Sequence, residues 1–278
     1  MKTAFEIKHE EPAAPDAHVL LEIAHYGISI LWFKKDPLTI DAVVTYNFPE
    51  EQDSETLIKT IRDIVSQNKI DRRENVHVFY NFQESFLIPS EFMHDHTYAA
   101  QLDLLYGVAP SAFTSYDEVT IESGIGMQDK MFCVYRVPDG IREVAETVSS
   151  HRPRHSTGMQ VSLKRSNIVQ CTVAHSTVKI FLYGNNQLLS VQQYAYKTPA
   201  DVVYHLLNVC DKNNVHPGDI SLHIDGMIDN ESRLYQEIHK YFLHIHFNVI
   251  ADDIFLSAGI AEHPLHFISH LTELARCV

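Results

Sequence analysis

Two short stretches of the chain, residues 23–30 (IAHYGISI) and 173–180 (VAHSTVKI), share one pattern of residue types. Each begins with an aliphatic residue, alanine and histidine and ends on isoleucine, and their starts are separated by 173 − 23 = 150 residues. Apolar residues flank a polar turn in each stretch, which is typical of two antiparallel strands joined by a hairpin. Because the chain has 278 residues, the repeat predicts two related halves.

The elements predicted after each hairpin follow the same order. A third strand, a helix and a fourth strand follow in both halves, and the two helices have capping residues at Asp53 or Ser54 and at Thr198, with Pro199 at a favoured first position. A helix, a strand and a helix then complete each half. These last elements are predicted at residues 97–107, 131–137 and 141–150 in the first half and 232–242, 244–251 and 266–277 in the second.

This order predicts an α/β fold built from two duplicated lobes, each β-β-β-α-β-α-β-α with a mixed sheet. We expect the first lobe at residues 17–152 and the second at 153–278, with a cleft between them. Residues 1–16 are predicted to be an N-terminal tail, because Pro12 and Pro15 would interrupt a helix there.

Composition excludes several classes of protein. The formal net charge is −14 and no run of Lys and Arg is longer than a pair, which argues against nucleic acid and against an anionic membrane surface as partners. The 4 cysteines form no Cys-x-x-Cys pair and no apolar stretch is long enough to span a bilayer. With no signal-peptide pattern at the N-terminus, these features predict a cytoplasmic protein.

Four segments carry a resemblance to a known superfamily: residues 154–158 (RHSTG), 196–214 (YKTPADVVYHLLNVCDKNN), 222–242 (LHIDGMIDNESRLYQEIHKYF) and 266–277 (HFISHLTELARC). Together with the doubled order of elements, they resemble the actin-like ATPases (sugar kinases, Hsp70 and actin), whose lobes are ribonuclease H-like. Over residues 17–278 the chain looks most like an uncharacterised bacterial family with a degenerate actin-like fold. The resemblance implies a fold and brings no activity with it.

In active members of that superfamily, the first turn of each half grips nucleotide phosphates, and the first typically reads Asp-x-Gly followed by Thr or Ser. In this chain His25 takes the place of that Asp and Ile28 the place of the hydroxyl residue, while Gly27 is retained. Imidazole is a poor Mg²⁺ ligand and isoleucine offers no hydrogen bond to a phosphate. The first turn is therefore expected to be degenerate.

The resemblance implies similar losses in the second half. Ala174 or His175 stands where Asp is usual, although Ser176 and the next residue still offer hydroxyl groups. Gly226 is all that remains of a Gly-Gly turn that packs on adenosine. Degenerate cleft positions are thus expected at His25, Gly27, His175, Ser176 and Gly226, with no bound ATP or Mg²⁺. The 18 histidines are interpreted as polar surface residues, so no metal site and no catalytic residue is predicted.

The leading functional hypothesis is a non-catalytic pseudo-ATPase that acts as a scaffold or protein-interaction module. Its partner is an unidentified protein, and a homodimer is one option. One alternative is a divergent ATPase or kinase that uses Glu22 or Asp225 as a replacement carboxylate. Another is a module that binds a different small ligand in the cleft through His25 and His175.

Overall fold

The structure is a computed structural model, which describes residues 2–7, 17–94, 97–123, 127–161, 167–185 and 187–278. In this part of the chain the strands form three sheets, of seven, five and three strands. No helix of the described residues is long and apolar enough to cross a membrane.

The seven-stranded sheet forms the first lobe. It begins with elements in this order: β1 (Lys2–Ile7), β2 (His18–Ala24), β3 (Gly27–Lys34), β4 (Thr39–Asn47), α1 (Ser54–Gln67) and β5 (Val76–Tyr80). Strands β2, β3 and β4 pair antiparallel as consecutive neighbours, and β5 pairs parallel with β2. The Asp53 side chain accepts a hydrogen bond from the backbone N–H of Thr56, which confirms the predicted cap of α1.

A three-stranded sheet is inserted after β5. Its elements are β6 (Ser85–Pro89), α2 (Thr97–Tyr106), β7 (Ala112–Ser123) and β8 (Met127–Pro138), with β8 at the centre. The chain then returns to the first sheet through α3 (Asp139–Val148), β9 (Arg154–His155) and α4 (Ser156–Val161), because β9 pairs parallel with β5. Short 3₁₀ helices lie at Ile70–Arg72 and Ser90–Phe92.

The five-stranded sheet forms the second lobe. It contains β10 (Ile168–Val173), β11 (Thr177–Gly184), β12 (Gln187–Ala195), α5 (Pro199–Lys212), β13 (Ser221–Gly226), α6 (Arg233–Ile238) and β14 (His244–Phe247). Thr198 caps α5 with Pro199 at its first position, as predicted, and Asp201 completes a capping box that the sequence analysis did not include. The chain ends with β15 (Phe255–Leu256), α7 (Ala258–Ala261), a 3₁₀ helix at Leu265–Phe267 and α8 (Ser269–Arg276).

The two lobes share one topology. The first sheet contains the order β4-β3-β2-β5-β9, and the second has the order β12-β11-β10-β13-β14. In both, two antiparallel pairings are followed by two parallel ones. The predicted α/β fold with two lobes and mixed sheets is confirmed.

Three details of the predicted organisation are corrected by the structure. The stretch 131–137, predicted as the fifth strand of the first lobe, lies in β8 of the inserted sheet, and the two-residue strand β9 takes that place. The predicted tail contains β1, which pairs antiparallel with β4, while residues 8–16 lie outside the described residues. Since β9 belongs to the first sheet, the predicted boundary at 152/153 also falls before the end of the first lobe.

The C-terminal segment, residues 254–276, packs on the first lobe. Strand β15 pairs parallel with β4, and Ile254, Ile260, Leu271 and Leu274 join one buried apolar cluster with residues of the first sheet. The opposite face of that sheet is covered by α1 and α3. The chain therefore crosses between the lobes at α4 and again near its end.

The two lobes share an apolar core as well. One cluster contains residues of the first sheet, residues of the inserted sheet such as Val119 and Tyr135, and Ile168, Phe181 and Tyr183 of the second lobe. The inserted sheet also contacts β12. Burial of apolar side chains is the main stabilising term in folding, so this cluster joins the lobes firmly.

Candidate functional site

The first hairpin turn, between β2 and β3, is held by contacts with its own lobe. The carbonyl oxygen of His25 accepts a hydrogen bond from the backbone N–H of Gln52 at 3.2 Å. The His25 ring packs edge-on against Phe82, with ring centroids 4.7 Å apart. Burial lowers the pKa of His25, and the nearby carboxylate of Glu51 opposes that effect only in part. His25 therefore holds a positive charge less readily than an ordinary histidine, which makes it a poor partner for a phosphate.

Gly27 has a structural reason to be glycine. A Cβ atom at this position would lie 2.8 Å from the backbone oxygen of Tyr46, which belongs to the neighbouring strand β4. The residue pairs with Asn47 at the end of β4, so the two strands approach closely there. Retention of this glycine is explained without any phosphate.

The second hairpin turn, between β10 and β11, uses its backbone groups internally. The N–H of Ala174 donates to the oxygen of Thr177 at 2.9 Å, and the oxygen of Ser176 accepts from the N–H of Tyr196 at 3.0 Å. The hydroxyl of Tyr196 donates to the oxygen of Ala174 at 2.8 Å. His175 is exposed. These contacts close the turn on its own lobe.

Gly226 ends β13 with a backbone angle that only glycine adopts easily. Its φ is +85°, and a Cβ atom would lie 2.1 Å from the backbone oxygen of Val173 on the adjacent parallel strand. That same oxygen accepts a hydrogen bond from the N–H of Met227 at 2.7 Å. Gly226 thus allows β13 to leave the sheet beside Val173.

A small cavity of about 220 Å³ lies between the lobes beside the first turn. The first lobe and the inserted segment contribute His25, Tyr26, Glu51, Glu84 and Tyr106, among others, and the second lobe contributes Thr177, Gln193 and Ala195. Two carboxylates line it, and no Lys or Arg does so within the part of the chain that the structure describes. His175, Ser176 and Gly226 do not line it either. The structure therefore does not bring His25 and His175 together there.

The two proposed replacement carboxylates lie in a buried polar layer. Glu22 on β2 and Asp225 on β13 are both buried, and neither lines the cavity beside the first turn. Asp225 Oδ2 accepts a hydrogen bond from Asn248 Nδ2 at 2.6 Å. Because both carboxylates are buried and lie outside the cavity lining, they are shielded from a nucleotide in the cavity.

The side chain that sequence reasoning missed in this layer is Lys179 on β11. Its Nζ donates to Ser156 Oγ at 2.9 Å and to Gln160 Oε1 at 3.2 Å, both on α4. Burial lowers the pKa of Lys179 to about 8, and the charges of Glu22 and Asp225 oppose this lowering. A single lysine in the otherwise apolar strand 177–184 (TVKIFLYG) was the available signal.

Arg136 fixes the inserted segment that forms part of the cavity wall. Its buried guanidinium donates to Asp103 Oδ1 at 2.6 Å, to Glu84 Oε2 at 3.1 Å and to the oxygen of Gly107 at 2.9 Å. It thereby ties α2 to β8 and holds Glu84 beside the cavity. Charge-assisted hydrogen bonds of this kind are stronger than neutral ones.

We expect Arg136→Met to lower the free energy of unfolding by about 2–3 kcal/mol, because three hydrogen bonds of a buried cation are lost. Urea denaturation measures this change. The matched control is Lys130→Met, because Lys130 lies on β8 like Arg136 but forms an exposed ion pair, with Glu118 of β7. We expect this variant to leave the urea midpoint nearly unchanged. Equal shifts in both variants would contradict the role of Arg136.

In the described residues, no group of three or more His, Cys, Asp and Glu side chains is placed to hold a metal ion. Phosphoryl transfer depends on positioned cations around the transferred group. Neither the two turns nor the cavity between the lobes provides such cations among the described residues.

Comparison with known structures shows the fold of this chain. A Bacteroides thetaiotaomicron protein with an actin-like ATPase fold and unknown function superimposes with a TM-score of 0.69 at 13% identity, covering 95% of this chain and 97% of that one. The PilM–PilN type IV pilus biogenesis complex gives a TM-score of 0.62 at 10% identity, covering 96% and 99%. The chain has the actin-like ATPase fold, as the sequence resemblance predicted.

Two further comparisons complete this result. The cytoplasmic domain of EpsL, an inner-membrane component of the type II secretion system of Vibrio cholerae, gives a TM-score of 0.50 at 9% identity, covering 94% of this chain and 96% of that one. Residues 155–245 match DUF3822, a family described as proteins of unknown function. No curated protein sequence matches the chain.

Proposed function

We propose that this protein is a non-catalytic scaffold of the actin-like fold that binds a protein partner and neither binds nor hydrolyses ATP. The observation that carries the proposal is the chemistry of the cavity beside the first turn. It offers about 220 Å³ and two carboxylates, and no Lys or Arg of the described residues lines it. A nucleotide site in this fold would be expected at this place.

Both size and charge argue against a nucleotide. Pockets that enclose small-molecule ligands generally have volumes of about 300–1,000 Å³, so the cavity is too small for a nucleoside triphosphate. The phosphates would also face Glu51 and Glu84, and like charges at short range repel each other. In the second turn, the backbone N–H of Ala174 is already bonded to the oxygen of Thr177 within its own lobe.

The shared core of the lobes supports the same proposal. Opening and closing of two lobes around a ligand requires an interface that can slide or hinge. Here Phe181 and Tyr183 of the second lobe are buried with residues of the first and inserted sheets. Packed cores resist continuous deformation, so this interface favours a rigid body.

Structures with the same fold supply the reason for proposing a protein partner. PilM is part of a complex with PilN, and EpsL is a component of a secretion system. We extend this role to the present chain as a proposal, with a second copy of the chain included among the partners. Its 4 cysteines are free, three of them buried, which supports a reducing compartment such as the cytoplasm.

The end of α2 and the residues after it offer an apolar surface for a partner. The exposed fractions are 86% for Leu104, 59% for Leu105 and 79% for Val108. Large apolar side chains exposed together within five residues are common where another protein docks. We name these three residues the α2 surface.

The repeated strand order supports a further part of the proposal, an origin of the two lobes by duplication of one unit. Both hairpin turns then descend from one ancestral turn. The present contacts of Gly27 and Tyr196 stabilise the turns within their lobes. In this proposal the ancestral turns held nucleotide phosphates, whereas the present turns make contacts within the fold, as expected if the fold was retained after the nucleotide site was lost.

Calorimetric titration with MgATP tests the proposal. We expect no binding tighter than a Kd of about 1 mM and no phosphate release above background. The matched variant is Ala195→Trp, which places an indole in the cavity at an exposed position of β12. Micromolar MgATP binding that Ala195→Trp abolishes would contradict the proposal.

Capture of partners from a native lysate tests the proposal that this chain binds another protein. We expect the set of retained proteins to be the same with and without MgATP, and to be reduced by Leu104→Glu combined with Val108→Glu. The control is Val249→Glu, at a residue that is 85% exposed and lies on the second lobe. Retention of partners that depends on MgATP would contradict the scaffold proposal. Equal retention by all variants would contradict the role of the α2 surface.

A further inference from the structure

A second cavity, of about 350 Å³, lies on the first lobe away from the inter-lobe site. Its walls come from β5, from Lys35 after β3, from the segment that joins α3 to β9, and from the last two residues of the chain. His77 and Phe79 of β5 line it, whereas the turn that contains His25 lies at the other end of the neighbouring strand β2. No residue lines both cavities. We name it the basic cavity.

The basic cavity concentrates positive charge on a chain whose formal net charge is −14. Lys35, Arg152 and Arg154 line it, and no Asp or Glu does so among the described residues. Within the same part of the chain, no carboxylate forms an ion pair with Lys35 or Arg154. Arg154 Nη1 donates to the weak acceptor Met159 Sδ at 3.6 Å, and the charge of Arg154 also acts on the carboxyl of Asp117. Two cations are thus left with unused hydrogen-bond donors.

Arg152 is positioned by its neighbours. Its Nη2 donates to Ser115 Oγ at 3.1 Å and to the oxygen of Tyr116 at 2.5 Å, and lies 3.5 Å from Asp117 Oδ1. Asp117 in turn accepts a hydrogen bond from the N–H of His155 at 2.8 Å. The guanidinium is thereby fixed at the rim while its other donor groups stay available.

Three histidines lie together beside these cations. His18 Nδ1 and His77 Nε2 are 3.0 Å apart, and the rings of His77 and His151 stack with centroids 4.7 Å apart. Burial, together with the positive charges of His151, His18 and Lys35, lowers the pKa of His77 to about 4. The ring of His77 is therefore a hydrogen-bonding group of the cavity wall and adds no charge to it at neutral pH.

We propose that the basic cavity binds a small molecule through a phosphate group. Arginine forks match phosphate oxygens, lysine adds a point charge, and ring N–H groups of neutral imidazoles donate further hydrogen bonds. The volume lies in the range of about 300–1,000 Å³ that is usual for small-molecule sites. This site is separate from the scaffold role and depends on none of its evidence.

Titration with glycerol 3-phosphate, followed by calorimetry at constant ionic strength, tests the inference. We expect a Kd of roughly 0.1–1 mM for the wild type and at least about tenfold weaker binding for Lys35→Gln combined with Arg154→Gln. The matched control is Lys34→Gln, because Lys34 is exposed, pairs with Asp41 and does not line the cavity. Equal affinity in the wild type and the double variant, or no binding at all, would overturn the inference.

A further arm identifies the source of the phosphate group. Inorganic phosphate is the second probe. Weaker binding of inorganic phosphate than of glycerol 3-phosphate supports a phosphorylated organic ligand, whereas tighter binding would overturn that part of the inference.

The variants also separate this site from the inter-lobe cavity. Any MgATP binding lost in Lys35→Gln/Arg154→Gln and retained in Ala195→Trp belongs to the basic cavity. MgATP binding that is lost in Ala195→Trp and retained in Lys35→Gln/Arg154→Gln would contradict the scaffold proposal. It would not change the inference about the basic cavity. Circular dichroism and urea denaturation establish that each variant is folded.

Discussion

Replacing Gly226 with alanine is expected to lower the free energy of unfolding by roughly 3–4 kcal/mol. The backbone at this position has φ +85°, a region that costs an L-residue about 1–2 kcal/mol. The added Cβ would also lie 2.1 Å from the backbone oxygen of Val173, so the two parallel strands must move apart. Equilibrium denaturation in urea measures the loss.

Gly107→Ala is the matched control for this prediction. Gly107 has nearly the same angle, φ +86°, but no atom lies within 4 Å of the position of its Cβ. We therefore expect only the conformational cost, about 1 kcal/mol. If both variants lost the same stability, close approach of β13 to Val173 would not be the reason for glycine at position 226.

Phe181→Ala is expected to cost about 3–5 kcal/mol, the usual range when a buried phenylalanine is truncated to alanine. Phe181 is 1% exposed and lies in the apolar cluster that joins the first sheet, the inserted sheet and the second lobe. The cavity left by the ring would loosen the junction of the lobes. Urea denaturation of the wild type should show one cooperative transition, with the midpoint lowered in the variant.

The control for Phe181→Ala is Phe255→Ala, because Phe255 is 56% exposed. Its truncation is expected to cost less than about 1.5 kcal/mol. A small loss for Phe181→Ala, or separate transitions for the two lobes in the wild type, would show that the lobes do not share a core. The rigid-body argument for the scaffold would then fail as well.

Local signals made the strand and helix pattern predictable. These signals depend on residues within a few positions of one another, as in the two hairpins, the cap at Asp53 and the capping box at Thr198. The order of three strands, a helix and a strand could therefore be derived for both halves. Strand partners beyond these neighbours depend on contacts that are distant in sequence.

The assignment of the fifth strand of the first lobe shows this limit. Residues 131–137 have the composition of a buried strand and do form one, but alternation of apolar residues does not say which sheet a strand joins. The strand that pairs with β5 is Arg154–His155, and two residues are too few to give any periodic signal. Strand β1 was missed because its partner β4 lies more than thirty residues away.

Little of the geometry of the candidate site could be predicted from the sequence. Absence of an aspartate at His25 and at His175 can be seen in the sequence, whereas the volume and charge of the cavity depend on residues from both lobes. The contacts of Lys179 with α4 link positions about twenty residues apart, across a turn of the chain. The basic cavity likewise joins Lys35 with Arg154 and the end of the chain.

The packing of the C-terminal segment on the first sheet has a consequence for biosynthesis. One apolar face of that sheet, which includes Leu31, Phe33 and Val43, is covered by residues such as Ile260, Leu271 and Leu274. These covering residues are translated more than two hundred residues after β3 and β4, which they cover, so this face of the sheet stays uncovered until residues 254–276 have left the ribosome. Nascent chains that stall before residue 254 would therefore expose a surface that chaperones recognise and that favours aggregation.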